Sequence, residues 1–262
     1  MQNHEVSIFK SVPLLLTVLL VSVGSSSGQS TEIIKAVRSR TVDITVRDEY
    51  SQTLSSGTGF IVGTEGEIAT NYHVIEGASS AIVKFYGHRG SHNVKSILHK
   101  DIENDIAVIK VHFKTTPLNF GDDNITQVGE RIMAIGNPLG LTGTVSDGVV
   151  SGFRKMEDGS RRMQISAPIS PGSSGGPVIN KQGEVIGIAT SYLPRGQNLN
   201  FAVPVTKLKR LMATRRLNIP FGAAHLPKAP KLKESTEIKV LKADWGGASL
   251  RDIHAVLHST SS

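Results

Sequence analysis

Short runs rich in Val, Ile and Thr recur along this chain, cut apart by Gly, Asn, Asp and Pro clusters. They include TVDITVR (41–47), SAIVKFY (80–86), DIAVIKV (105–111), RIMAIG (131–136), EVIGIATSY (184–192) and LNFAVPV (199–205). Alternating or β-branched runs this short suit strands rather than helices. Regular spacing between turn signals points to an all-β sandwich or a pair of barrels, and no βα repeat argues for a parallel sheet. The 26 glycines fit a strand-and-turn protein. With no cysteine among its 262 residues, the chain has no disulfide, no thiol nucleophile and no Cys-ligated zinc. The fold must hold by packing alone.

Both ends read differently. Residues 12–23, VPLLLTVLLVSV, form an apolar run between Lys10 and the small residues GSSSG. The run is too short to span a bilayer as a helix, which needs about 20 residues. A basic start, a short apolar stretch and small residues describe a secretory signal peptide over residues 1–28, cleaved near Gly28. Export to a periplasm or the cell exterior follows as the expectation, with an uncleaved membrane anchor as the lesser alternative. Residues 31–40 are expected to form a short amphipathic helix through Ile33, Ile34 and Val37, and residues 205–217 a second helix.

The net charge of +7 is uneven: residues 29–205 balance 17 Lys and Arg against 17 Asp and Glu, while residues 206–262 hold 11 against 4. The main body therefore has no bulk attraction for phosphate, and no nucleic acid partner is expected. Residues 218–262 read as a basic, Pro- and Lys-rich linker and extension. That tail is a candidate contact for anionic surfaces, with a solvated linker as the alternative reading. Within it, EIKVL, Trp245 and SLRDIHAVLH could dock on the body. His254 and His258 have a ligand-like spacing but lack the other residues of a zinc motif, so neither metal nor cofactor is expected.

Three segments carry potential chemistry: ATNYHVIEGA with His73, ENDIAVIK with Asp105, and SPGSSGGPVIN with Ser174. Each is weak alone. Together they supply complementary parts. A serine hydroxyl needs a base, histidine titrates near neutrality, and a carboxylate fixes its tautomer. Glycines around a serine let backbone N–H groups approach a developing oxyanion. The order His, Asp, Ser is that of the chymotrypsin triad.

TNYHV, DIAVIK, IGNPLG and PGSSGGP closely resemble the bacterial trypsin-like serine peptidases of the HtrA/Deg type, over roughly residues 31–215. The resemblance implies two six-stranded antiparallel β-barrels with a C-terminal helix, in a protease domain spanning 29–217. It implies His73 as general base, Asp105 as its orienting partner, Ser174 as nucleophile, and Gly172 and Ser174 as backbone donors of the oxyanion hole. By the same resemblance the substrate pocket is walled by residues 168–172 and 189–201, including Ile169, Thr190, Ser191, Asn198 and Asn200, with no carboxylate among them. An apolar or small P1 side chain in a polypeptide substrate is the expected match. Departures are also expected to matter. Ser173 stands where zymogens of the wider family carry an aspartate, the residues after 217 are too few for a PDZ domain, and QSTEIIKAV has no aromatic residue of the kind that supports HtrA trimers. A binding or chaperone-like module on the same fold, without cleavage, is the competing reading.

Overall fold

The structure is a computed structural model that describes residues 26–137, 143–156, 159–192 and 200–222. The expected signal run, residue 198 and residues 223–262, with Trp245, His254 and His258, lie outside the described residues. No helix among the described residues is long and apolar enough to cross a membrane.

Helix α1 (Ser26–Arg38) begins earlier than expected, and its Val37 and Ile33 pack on the core. The first half of the body then comprises β1 (Thr41–Arg47), β2 (Thr53–Ile61), β3 (Glu67–Thr70), one-turn α2 (Tyr72–Ile75), β4 (Ser80–Phe85), β5 (His92–Asn93), β6 (Ser96–Asp101) and β7 (Ile106–Lys110). The alternation read in TVDITVR is realised: Val42, Ile44 and Val46 of β1 are buried, and intervening residues are less so. The second half comprises β8 (Arg131–Gly136), β9 (Thr144–Lys155), β10 (Arg161–Ile165), β11 (Pro177–Ile179), β12 (Val185–Tyr192), β13 (Asn200–Pro204) and α3 (Val205–Met212). A last strand, β14 (Ile219–Pro220), returns to the first half.

The second half is a closed six-stranded barrel in the order β10-β13-β12-β11-β8-β9. The first is a half-barrel, an eight-stranded sheet in the order β14-β6-β7-β3-β2-β1-β4-β5. All its pairings are antiparallel. Between β5 and β6 the chain passes from one side of this sheet to the other. Val94 N–H bonds Ala81 at 2.9 Å and Lys95 N–H bonds Lys110 at 2.8 Å. One apolar cluster joins the halves: Phe60, Leu98, Ile106 and Val108 from the first meet Ile135, Ile179, Ile188, Val203 and Leu208 from the second. A shared core of this kind sets where His73 and Asp105 stand relative to Ser174, because close-packed interiors transmit position.

The helix expected over 205–217 ends at Met212. Beyond it the chain crosses to the first half. Leu217 N–H bonds Leu98 at 2.7 Å, Ile219 and Pro220 pair with Ile97 and Ser96, and Phe221 N–H bonds Lys95 at 2.9 Å. Among the described residues, bonding to the first half thus continues to Phe221, past the boundary expected at residue 217.

Candidate active site

His73 sits on a single helical turn whose other residues, Tyr72, Val74 and Ile75, are all buried. Three buried neighbours fix the turn and leave the imidazole, 42% exposed, facing outward. Asp105 stands just before β7, in the left-handed region at φ 58, a conformation that Asp tolerates better than most residues. The strand behind it is anchored by Ile106, Ala107, Val108 and Ile109, all fully buried. Asn71 Nδ2–H donates to the Asp105 carbonyl at 2.9 Å, tying the two segments together.

The Asp105 carboxylate gathers three donors. His73 N–H reaches Oδ1 at 3.0 Å, His73 Nδ1–H reaches Oδ2 at 2.8 Å, and the Thr190 hydroxyl reaches Oδ2 at 2.6 Å. Burial pushes the Asp105 carboxyl up, but the bond and charge of His73, the Thr190 hydroxyl and the His73 N–H outweigh it, so the group stays ionised below the usual carboxylate range. An ionised Asp105 requires the proton on Nδ1, which leaves Nε2 of neutral His73 with a free lone pair. Burial pulls His73 down, while the Asp105 bond and charge and the charge of Glu76 push it up, with a net rise.

Ser174 lies on a loop built from two successive tight turns. Ser173 N–H bonds Ser170 at 2.9 Å, and Gly176 N–H bonds Ser173 at 3.1 Å. Gly172 (φ 95) and Gly175 (φ 87) supply the left-handed conformations on either side of the serine. At Gly175 a Cβ would stand 2.1 Å from the Thr58 carbonyl oxygen and 2.3 Å from Thr70 Oγ1, so glycine is required on steric grounds too. Gly175 N–H to Ala189 (2.7 Å) and Ala189 N–H to Gly176 (2.9 Å) fasten the loop to β12. Ser174 Oγ–H donates to the Thr190 carbonyl at 3.0 Å rather than to His73. Among the described residues, neither Gly172 N–H nor Ser174 N–H donates to another protein group.

The residues expected in a pocket wall are placed less simply. Thr190 is buried and uses its hydroxyl on Asp105 and its carbonyl on Ser174. Ile169 is buried in the core of the second barrel and also lines a small cleft with Ile135, Gly136, Ser173 and Ala189. Asn200 is buried, and its Nδ2–H donates to the Ala167 carbonyl at 2.9 Å. Ser191 pairs through its backbone with Phe201. Sequence reasoning missed Thr58, whose buried hydroxyl and N–H both bond the Ser174 loop. It also missed Asn71. Neither has a periodic or motif signal beyond its place in GTG and TNYHV.

A closed antiparallel barrel, a half-barrel packed on it, and an Asp–His pair beside a Gly-flanked serine define a chymotrypsin-like class of protein. The trypsin-like peptidase domain family matches residues 57–188, about half of the chain. A relative from Synechocystis sp. that carries the name serine protease HhoB is 42% identical over 158 residues, covering 57% of this chain and 38% of that one. A DegP-like periplasmic serine endoprotease of Chlamydia muridarum is 38% identical over 164 residues, covering 60% of this chain and 33% of that one. The crystal structure of Deg5 superimposes with a TM-score of 0.61 at 30% identity, covering 71% of this chain and 93% of that one. The chain belongs to the trypsin-like peptidase domain family, and its relatives are of the HtrA/Deg type. It spans about a third of the length of these two curated relatives.

Proposed function

We propose that the protein is a serine endopeptidase that cleaves polypeptides through His73, Asp105 and Ser174. The observation that carries this reading is the 2.8 Å bond from His73 Nδ1–H to a half-buried, ionised Asp105, which leaves Nε2 free as a base. Ser174 Oγ leaves the Thr190 carbonyl by a rotamer change, a fast motion, and donates its proton to Nε2 as it attacks the substrate carbonyl carbon. The oxyanion of the tetrahedral intermediate accepts from Gly172 N–H and Ser174 N–H. Collapse breaks the C–N bond, His73 hands its proton to the departing amine, and an ester on Ser174 remains. Water, deprotonated by His73, then attacks the ester. The acid product leaves, and Ser174 regains its proton.

Absence of a carboxylate in segments 168–172 and 189–201 supports an apolar or small P1 side chain. A hydrophobic pocket discriminates by only about 1–3 kcal/mol per methylene, so cleavage is permissive. Export is supported by the apolar run at 12–23 and by the periplasmic designation of the Chlamydia relative.

The donation of the Ser174 hydroxyl to Thr190 favours one alternative, a non-cleaving binding module. Labelling with a fluorophosphonate probe separates the two. The wild type is expected to label and to hydrolyse unstructured polypeptides. Ser174→Ala is expected to do neither, with about a 10⁶-fold loss in kcat and an unchanged melting temperature. A wild type that neither labels nor cleaves sinks the peptidase reading.

A further inference from the structure

Thr58 of β2 belongs to the first half of the molecule, yet three of its contacts converge on the loop that carries Ser174. Its hydroxyl donates to the Gly172 carbonyl at 2.7 Å and accepts from Asn137 N–H at 3.0 Å. Its own N–H donates to the Ser174 carbonyl at 2.8 Å. Its carbonyl accepts from Thr70 Oγ1 at 2.7 Å and faces Gly175 so closely that no Cβ fits there. The side chain is fully buried, so water does not substitute for these partners.

Gly172 and Ser174 are the two residues whose N–H groups would receive the oxyanion, and each is held by its carbonyl to the same threonine. The peptide from Gly172 to Ser173 is gripped at both ends, its C=O by Thr58 and its N–H by Ser170. Gly172 is the joint most free to rotate, since glycine carries no steric preference for its φ of 95. The Asn137 link extends the same hold to the neighbouring segment, where a Cβ on Gly136 would stand 2.9 Å from Ser173 Cα.

We infer that Thr58 is a positioning residue that sets the geometry of the oxyanion hole across the junction of the two halves. It touches neither substrate nor proton. It acts by orienting both backbone donors, so its loss weakens transition-state binding more than substrate binding. This inference rests on the peptidase reading.

The test compares Thr58→Val, which keeps the shape and removes the hydroxyl, with Thr58→Ser, which keeps the hydroxyl and removes a methyl. Loss of one oxyanion donor costs about 10²–10³ in kcat, and misorientation of the donors by Thr58→Val is expected to reach the lower end, ~100-fold. KM should stay within about threefold, and Ki for a peptide aldehyde should weaken in step with kcat/KM, because both report tetrahedral-state binding. Thr58→Ser should stay within about threefold of wild type in kcat. Amide hydrogen exchange over residues 172–176 should quicken in Thr58→Val and not in Thr58→Ser, whatever the activity. If Thr58→Val does not fold, Thr58→Ala takes its place against Thr58→Ser. Wild-type kcat in the hydroxyl-free variant overturns the inference. So does an equal loss in Thr58→Ser, or a loss confined to KM. A wild type that neither cleaves nor labels fails the peptidase reading instead, and unchanged exchange in Thr58→Val then sinks the positioning role on its own.

Discussion

His73 is pulled two ways. Burial favours its neutral form, while the hydrogen bond and charge of Asp105, with the charge of Glu76, favour the imidazolium. The balance lies above the ordinary 6.5, and a general base works only when neutral. The kcat/KM profile is therefore expected to rise with pH through a midpoint above 6.5. In Asp105→Asn both contributions of Asp105 disappear. The midpoint should fall, and kcat should drop about 10⁴-fold through the wrong tautomer, the effect known for the chymotrypsin triad. A wild-type midpoint below 6.5, or one unmoved by Asp105→Asn, contradicts a histidine base held by this aspartate. The same shifts act on stability. The raised His73 stabilises the fold below its unfolded pKa, and this is lost as pH rises through the folded value. The lowered Asp105 stabilises above 3.8, and this is lost as pH falls through its folded value. His73, Asp105 and Ser174 stand out in the sequence because the chemistry proposed for them needs those residue types near glycine and apolar strand signals. The role of Thr190 does not. The sequence places it in a pocket wall, and only the register of β12 against the Ser174 loop brings its hydroxyl to Asp105.

Helix α3 shows what is hidden at the level of one element. Its residue before the first turn, Pro204, makes no side-chain cap, and the helix has only eight residues, too few to be stable without support. The cap comes from far away in sequence. Asp123, fully buried between β7 and β8, accepts from Thr206 N–H at 2.7 Å and from the Thr206 hydroxyl at 3.2 Å, with Arg161 at 3.4 Å. A carboxylate at a helix N-terminus also meets the favourable end of the helix dipole. Asp123→Ala is expected to cost about 1–2 kcal/mol, the upper range for a lost cap, read as a lower urea midpoint at unchanged slope. Turnover should hold, since no residue of the candidate site contacts Asp123. An unmoved midpoint would show that the helix needs no such cap. The strands themselves were mostly legible from alternation. The edges were not: β5 and β14 have two residues each, and two residues carry no period.

At the scale of the whole molecule, residues 213–222 act as a strap between the halves. They leave α3, cross to the first half and finish as its edge strand β14, where a proline is tolerated because an edge position needs no second ladder bond. Besides the backbone bonds, Arg216 reaches Glu67 at 3.4 Å and Thr214 reaches His99 Nδ1 at 3.3 Å. A sequence reading that stops the domain at residue 217 misses this, since the residues beyond it look like the start of a basic linker. Two truncations follow. A chain ending after Gly222 should melt with the full-length protein and keep its kcat on small peptides, because every pairing described here is retained. A chain ending after Leu217 loses β14 and the Phe221 bond to Lys95, and should be destabilised by about 1–3 kcal/mol, the worth of two or three backbone hydrogen bonds. If the two melt together, the strap contributes nothing to the fold. The chain ending after Gly222 also tests the tail, although it removes only six basic against four acidic residues and keeps Lys207, Lys209, Arg210, Arg215 and Arg216. Sedimentation with anionic vesicles should be present in the full chain, weaken as salt shortens the Debye length below about 8 Å, and fall in part in the chain ending at Gly222. Equal vesicle binding by both chains would place the contact on the basic residues 207–216 of the body and would remove residues 223–262 from any tethering role.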